Sequence, residues 1–244
     1  SGLPAGKIRV ADEPVEDISV INCHVSACWK NGIGMNNGRG LRVDGGECVN
    51  CGTGTAFSPK ASIDLEREGD NSITGVSISR ALFRQDLDVQ TEVMGELYVV
   101  SGTQSVSVNE CVFENCGLSI ASVGSVMTMG VSVRGCLFKN SAVIVGGYLS
   151  EVCSCVMEYT GDFYQYGGQL ITRREYAPIY TEDYVNFHDN KVRWSPELSD
   201  YPNNFSLAGY VQNNEFQGLC GGQRTASPAK NYIIDLHAKG VNGN

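Results

Sequence analysis

VSVNECVFENC (106–116) and VSVRGCLFKNS (131–141) are the stretches that decide how this chain folds. Laid over each other they agree at Val106/Val131, Ser107/Ser132, Val108/Val133, Cys111/Cys136, Phe113/Phe138 and Asn115/Asn140. Within each copy, apolar and polar residues alternate for a few positions, stop at a turn and start again. That period of two is the mark of strands with one buried face. Strands this short cannot bury a face alone. Stacked one repeat upon the next, they make a continuous core.

The same frame extends outward in both directions. It fits ISVINCHVSAC (18–28) and VSISRALFRQD (76–86), and more loosely EVCSCVMEYT (151–160) and LAGYVQNNEFQG (207–218). Equivalent positions are then Cys23, Ala81, Cys111, Cys136, Cys155 and Asn214, with Cys48 of GECVNC assigned to the same series. The long gap between Cys155 and Asn214 has room for two turns. Unequal steps imply fixed strands and loops of free length. The small residues form a column at one corner, and Asn115 and Asn140 take equivalent turn positions, where Asn tolerates unusual backbone angles.

Composition narrows the function. The net charge of −9 argues against a surface built for nucleic acid. No apolar run approaches the ~18 residues needed for membrane insertion, and SGLPAGKIRV has no apolar core of a signal peptide. The chain has ten cysteines, but Cys48-x-x-Cys51 lacks a second such pair at zinc spacing and the three histidines are scattered. The expectation is buried free thiols packing as small hydrophobes, folding in a reducing cytoplasm, and neither metal nor cofactor. No G-x-S-x-G elbow or phosphate-binding loop is present.

The VxVxxCxFxN repeat resembles the right-handed parallel β-helix proteins of the pectin-lyase-like group. SIDLERE (62–68), following a Gly-rich loop, is similar to segments of phage tailspikes that bind or degrade surface polysaccharide. The resemblance covers about residues 15 to 160, and 205 to 220 more weakly. It implies an all-β, right-handed parallel β-helix (a solenoid) with an irregular C-terminal insertion and cap. The expected organisation is an extended lead-in (1–14), parallel β-helix coils (15–160), an irregular Tyr-rich insertion (161–206), and a last coil with a C-terminal cap (207–244). The resemblance also implies a homotrimer, which would shelter the apolar flank AVIV (142–145), located in a virion tail or outside the cell.

The candidate site lies beside SIDLERE. Ile63 and Leu65 point inward, so Asp64 and Glu66 point outward. Aligning the following strands sets Asp64 beside Glu96 and Glu66 beside Tyr98. Close carboxylates resist joint ionisation, and a glycosidase needs one acid and one base or nucleophile. Asp64, Glu66 and Glu96 are therefore the candidate catalytic residues. Tyr98 and Trp29 are candidate sugar platforms. Asp86, Asp88, Lys60 and Arg84 are candidate substrate contacts on or beside the loops that precede the acidic strands. Outward acids on a sheet equally serve solvation and discourage aggregation.

The expected function is hydrolysis of glycosidic bonds in a bacterial surface polysaccharide, capsule or O-antigen. Two alternatives stand beside it. A polysaccharide lyase would draw on Lys60, Arg80 and Arg84, and a non-catalytic carbohydrate-binding or fibre segment would need no reacting group at all.

Overall fold

The computed structural model describes residues 14–29, 31–52, 61–67, 69–86, 96–100, 102–121, 127–159, 179–181, 184–194, 205–207 and 209–217. These residues form an all-β structure in which every strand pairing is parallel. They make three sheets of ten, eight and seven strands. One coil shows the plan. Gln104–Asn109 lies in the first sheet, Val112–Glu114 in the second and Gly117–Ala121 in the third. The next coil places Met129–Arg134, Leu137–Lys139 and Ala142–Val145 directly beside them. This is the arrangement of a parallel β-solenoid.

Columns of like residues run up the core. Val20, Val43, Ile78, Val108, Val133, Val152, Phe187 and Val211 succeed one another in the first sheet. In the second, Phe83, Phe113 and Phe138 are wholly buried. Their rings stack at 4.8 Å and 4.7 Å between centroids, with interplanar angles of 14° and 8°. The strand-to-strand spacing of ~4.8 Å thus becomes the ring spacing.

The small-residue column is real, but one member differs from expectation. Leu82 pairs with Glu47 and with Val112, and Val112 with Leu137. The residues just before these, Gly46, Ala81, Cys111 and Cys136, therefore share a column. Cys48 belongs instead to the aromatic column, pairing with Val25 and Phe83. A Cβ at Gly46 would lie 2.2 Å from the Cys23 carbonyl oxygen, so the corner excludes a side chain there. The thiols of Cys111, Cys136 and Cys155 each lie nearest the carbonyl two residues back (Asn109, 3.4 Å; Arg134, 3.4 Å; Cys153, 3.3 Å) and also reach one in the coil before (Ile78, 3.8 Å; Val108, 3.6 Å; Val133, 3.7 Å).

The residue before that column makes the corner. Asn22, Gly45, Arg80, Glu110, Gly135, Ser154, Asp189 and Asn213 all have φ between 49° and 67°. A single left-handed residue folds the chain from the first sheet into the second at every level, at a cost of ~1–2 kcal/mol for those with a Cβ.

Asn190 and Asn214 replace cysteine at the top of the column. Asn190 Oδ1 accepts from Cys155 N–H (2.9 Å), its Nδ2 donates to the Val152 carbonyl (3.0 Å), and Asn214 Oδ1 accepts from Asn190 N–H (2.9 Å). Residues 179–194 fall inside the stretch expected to be irregular. Ile179–Thr181 completes one coil there, and Val185–His188 with Lys191–Trp194 builds the next. Asn190 stands in this coil at the column position that Cys155 fills in the coil before it.

AVIV needs no partner chain. Ala142, Val143, Ile144 and Val145 are all buried within the one chain. Nine cysteines lie among the described residues. No two of these form a disulfide, and all but Cys23 are buried. No helix among the described residues is long and apolar enough to cross a membrane.

Candidate functional site

The third sheet carries the expected acidic strand, Ala61–Glu66. Ile63 and Leu65 are inside and fully buried, so Asp64 and Glu66 face outward as period-two geometry requires. The outer face here is covered. Asp64 is 5% exposed and Ser62 is 1% exposed, while Glu66 is half-buried at the rim. A buried carboxylate is tolerated only when hydrogen-bonded. Asn31 Nδ2 donates to Asp64 Oδ2 at 2.6 Å, and Asn31 Oδ1 accepts from Ala61 N–H at 3.2 Å. Asn31 therefore fixes both the start of the strand and its acid.

The lateral register differs from the expected one. Leu97 pairs with Ile63, Tyr98 with Asp64 and Val100 with Glu66, whereas Glu96 pairs with Ala61. The register shifts between Glu96 and Leu97, with Ser62 as the extra residue on the facing strand. Asp64 thus neighbours Tyr98 on one side and Gly34 on the other, not Glu96. The side chains of Glu96 and Tyr98 lie outside the described residues, as do Lys60 and Asp88 altogether.

Trp29 is 68% exposed on the loop that joins His24–Ser26 to Ile33–Met35, two residues before Asn31. The same loop therefore anchors Asp64 and offers an open indole.

Asp86 and Arg84 are tied up in the turn that follows the second sheet. Asn50 Nδ2 donates to Asp86 Oδ2 and Asp86 N–H donates to Asn50 Oδ1, both at 2.8 Å, while Arg84 Nε lies 3.0 Å from Asp86 Oδ1. Arg80 is likewise held, 2.5 Å from Asp44 Oδ1, and Arg42 lies 2.7 Å from Asp44 Oδ2.

A second cluster, absent from the sequence reading, stands on the outer face of the first sheet. Glu151 and Cys153 are two residues apart on Ser150–Cys153, and His188 pairs laterally with Cys153. His188 Nε2 lies 2.9 Å from Glu151 Oε1 and its Nδ1 2.6 Å from Asp189 Oδ2. Arg134 donates to Glu151 Oε2 at 2.6 Å.

Burial works against the His188 charge, but the hydrogen bonds to Asp189 and Glu151 outweigh it and raise its pKa. The same hydrogen bond from His188, more than offsetting burial, lowers Glu151; Arg134 adds to the effect. Cys153 is pushed up by burial and by the Glu151 charge, so it is a thiol rather than an activated thiolate. Alternation on EVC (151–153) and the coil VNFHDN (185–190) were the signals that could have found this cluster.

The chain matches no protein-family model, no curated protein and no solved structure.

Proposed function

We propose that this chain is a right-handed parallel β-helix of the pectin-lyase-like kind that binds a bacterial surface polysaccharide and hydrolyses its glycosidic bonds. The handedness follows the strong preference of parallel crossover connections. The carbohydrate reading rests on one observation above all. Asp64, held by Asn31, and the half-buried Glu66 share the outer face of one strand, and the loop that supplies Asn31 presents an exposed Trp29.

Two carboxylates at i and i+2 stand ~6.6 Å apart along the strand, which suits an acid and a base or nucleophile on either side of a sugar bond. Trp29 offers the broad apolar ring on which a sugar stacks. Glu96 is set aside as the partner acid, because the ladder pairs it with Ala61. The homotrimer and the virion or extracellular setting belong to the same proposal and rest on the tailspike resemblance.

For the lyase alternative, Arg80 and Arg84 are each paired with an acid, and Lys60 lies outside the described residues. Binding without cleavage is favoured by a different observation. Asp64 is 5% exposed and tied to Asn31 while Trp29 stands open, so the face offers a sugar platform more readily than a reacting pair.

Digestion of a panel of purified capsules and O-antigens tests these readings together. Hydrolysis is expected with the parent chain, and a fall of ~10²–10⁴-fold in Glu66→Gln and Asp64→Asn. Unchanged cleavage in both variants refutes the assignment. An unsaturated, ultraviolet-absorbing product identifies a lyase, and saturable binding without product identifies the non-cleaving form.

A further inference from the structure

We propose that Glu151, Cys153 and His188 form a binding site for a divalent transition cation of the zinc class, on a different sheet from the carbohydrate face. Their ligand atoms, one from each residue, all lie within 4.8 Å of one another. One carboxylate oxygen, one sulfur and one imidazole nitrogen make a mixed set that suits Zn²⁺ and excludes Mg²⁺ and Ca²⁺, which take oxygen ligands.

The fold brings these atoms together from two adjacent strands. Glu151 and Cys153 project from the same side of one strand, and His188 comes from the neighbouring strand at the Cys153 level. That ladder is flanked by Ser132–Arg134 on one side and Tyr210–Gln212 on the other. The side chains of Glu151 and His188 are 25% and 18% exposed, and Cys153 is buried, so the site is recessed but open to an entering ion.

The outer groups complete the pattern. Asp189 accepts from His188 Nδ1 and so aims Nε2 toward Glu151, the carboxylate–histidine–metal arrangement that orients a ligand and raises its basicity. The ion would replace the proton shared by Nε2 and Glu151 Oε1. Binding also breaks the Cys153 S–H bond and forms a metal–sulfur bond, and both displaced protons, this one and the one from Nε2, pass to buffer. Charge balances locally. Thiolate, Glu151 and Asp189 supply three negative charges against the cation's two positive charges and that of Arg134.

The test uses the full chain with Co²⁺ as a spectroscopic probe and Zn²⁺ as its competitor. The parent is expected to bind one equivalent with a thiolate-to-cobalt charge-transfer band that Zn²⁺ abolishes and Mg²⁺ does not. Cys153→Ser and His188→Gln should lose the band, and Asp189→Asn should weaken affinity by ~10–100-fold. Cys23→Ser, which removes the exposed thiol, should leave the band intact. His188→Gln sits at a partly open position, so its far-ultraviolet circular dichroism should match the parent. Loss of the band with that spectrum retained supports the site. A band that survives in Cys153→Ser or His188→Gln, or its absence from the parent, overturns it.

Discussion

Phe113→Ala tests the stack at its centre. The ring is fully buried between Phe83 and Phe138, at 4.8 Å and 4.7 Å from its neighbours. A buried Phe removes ~200 Å² from water, which at ~25 cal/mol per Å² corresponds to ~5 kcal/mol. Alanine keeps part of that area, and the cavity left behind adds back a penalty, so the expected loss is ~3–5 kcal/mol. Neighbouring layers are each paired on both sides and cannot close the gap without breaking ladder hydrogen bonds, which favours the upper half of the range.

Urea denaturation followed by far-ultraviolet circular dichroism measures the loss. A double-mutant cycle then tests the geometry, with Leu replacing Phe. Phe83 and Phe113 should couple by ~0.5–1.5 kcal/mol, while Phe83 and Phe138, two layers apart, should be additive within ~0.5 kcal/mol. A Phe113→Ala loss below ~1 kcal/mol, or coupling that skips the middle ring, refutes the layered column.

Asn190→Ala should cost ~2–4 kcal/mol in the same denaturation assay, because it strands Cys155 N–H and the Val152 carbonyl in the core. Native thiol titration should find Cys23 fast, and Cys23→Ser should remove that equivalent. Cys136, whose pKa is about 12, should react only on unfolding: its hydrogen bond from Cys111 lowers it, but that with Cys155 and burial together raise it more. Asp44 has its pKa lowered, chiefly by the hydrogen bond from Arg42 and then by Ser79 and Arg80. Its folded value lies below the unfolded one, so its stabilisation is present above the unfolded value of 3.8 and disappears as pH falls through the folded value. Asp44→Asn should therefore melt earlier than the parent at pH 7, and the gap should close in acid; a gap independent of pH contradicts the ion-pair assignment.

The coils were legible because their signal is local. V-S-V and C-x-F each state which residues go inside, and the recurring left-handed corner keeps every copy in phase. Phe113 and Phe138 could be placed one above the other from spacing alone. The signal failed where chemistry changed but geometry did not. Asn190 fills the column position through hydrogen bonds rather than a buried thiol, as Asn214 does, but only the Asn214 coil keeps enough of the repeat in LAGYVQNNEFQG to be placed in the frame. Gly46 does the same work with no side chain, and Cys48, two residues on, mimics the column residue while belonging to the aromatic column.

The candidate sites were harder, because they depend on lateral register. Inward and outward faces follow from alternation within one strand, and Asp64 and Glu66 were placed on the correct face that way. Which residue stands beside Asp64 depends on the whole path of the chain through the corner and loop before the next strand. One extra residue, Ser62, lets Glu96 face Ala61 while Leu97 faces Ile63, and the neighbour of Asp64 becomes Tyr98. The Glu151–Cys153–His188 cluster escaped notice for the same reason. Two of its members are plain in EVC, but the third arrives from a coil 35 residues later. In a solenoid the core is written along the chain, and the chemistry is written across it.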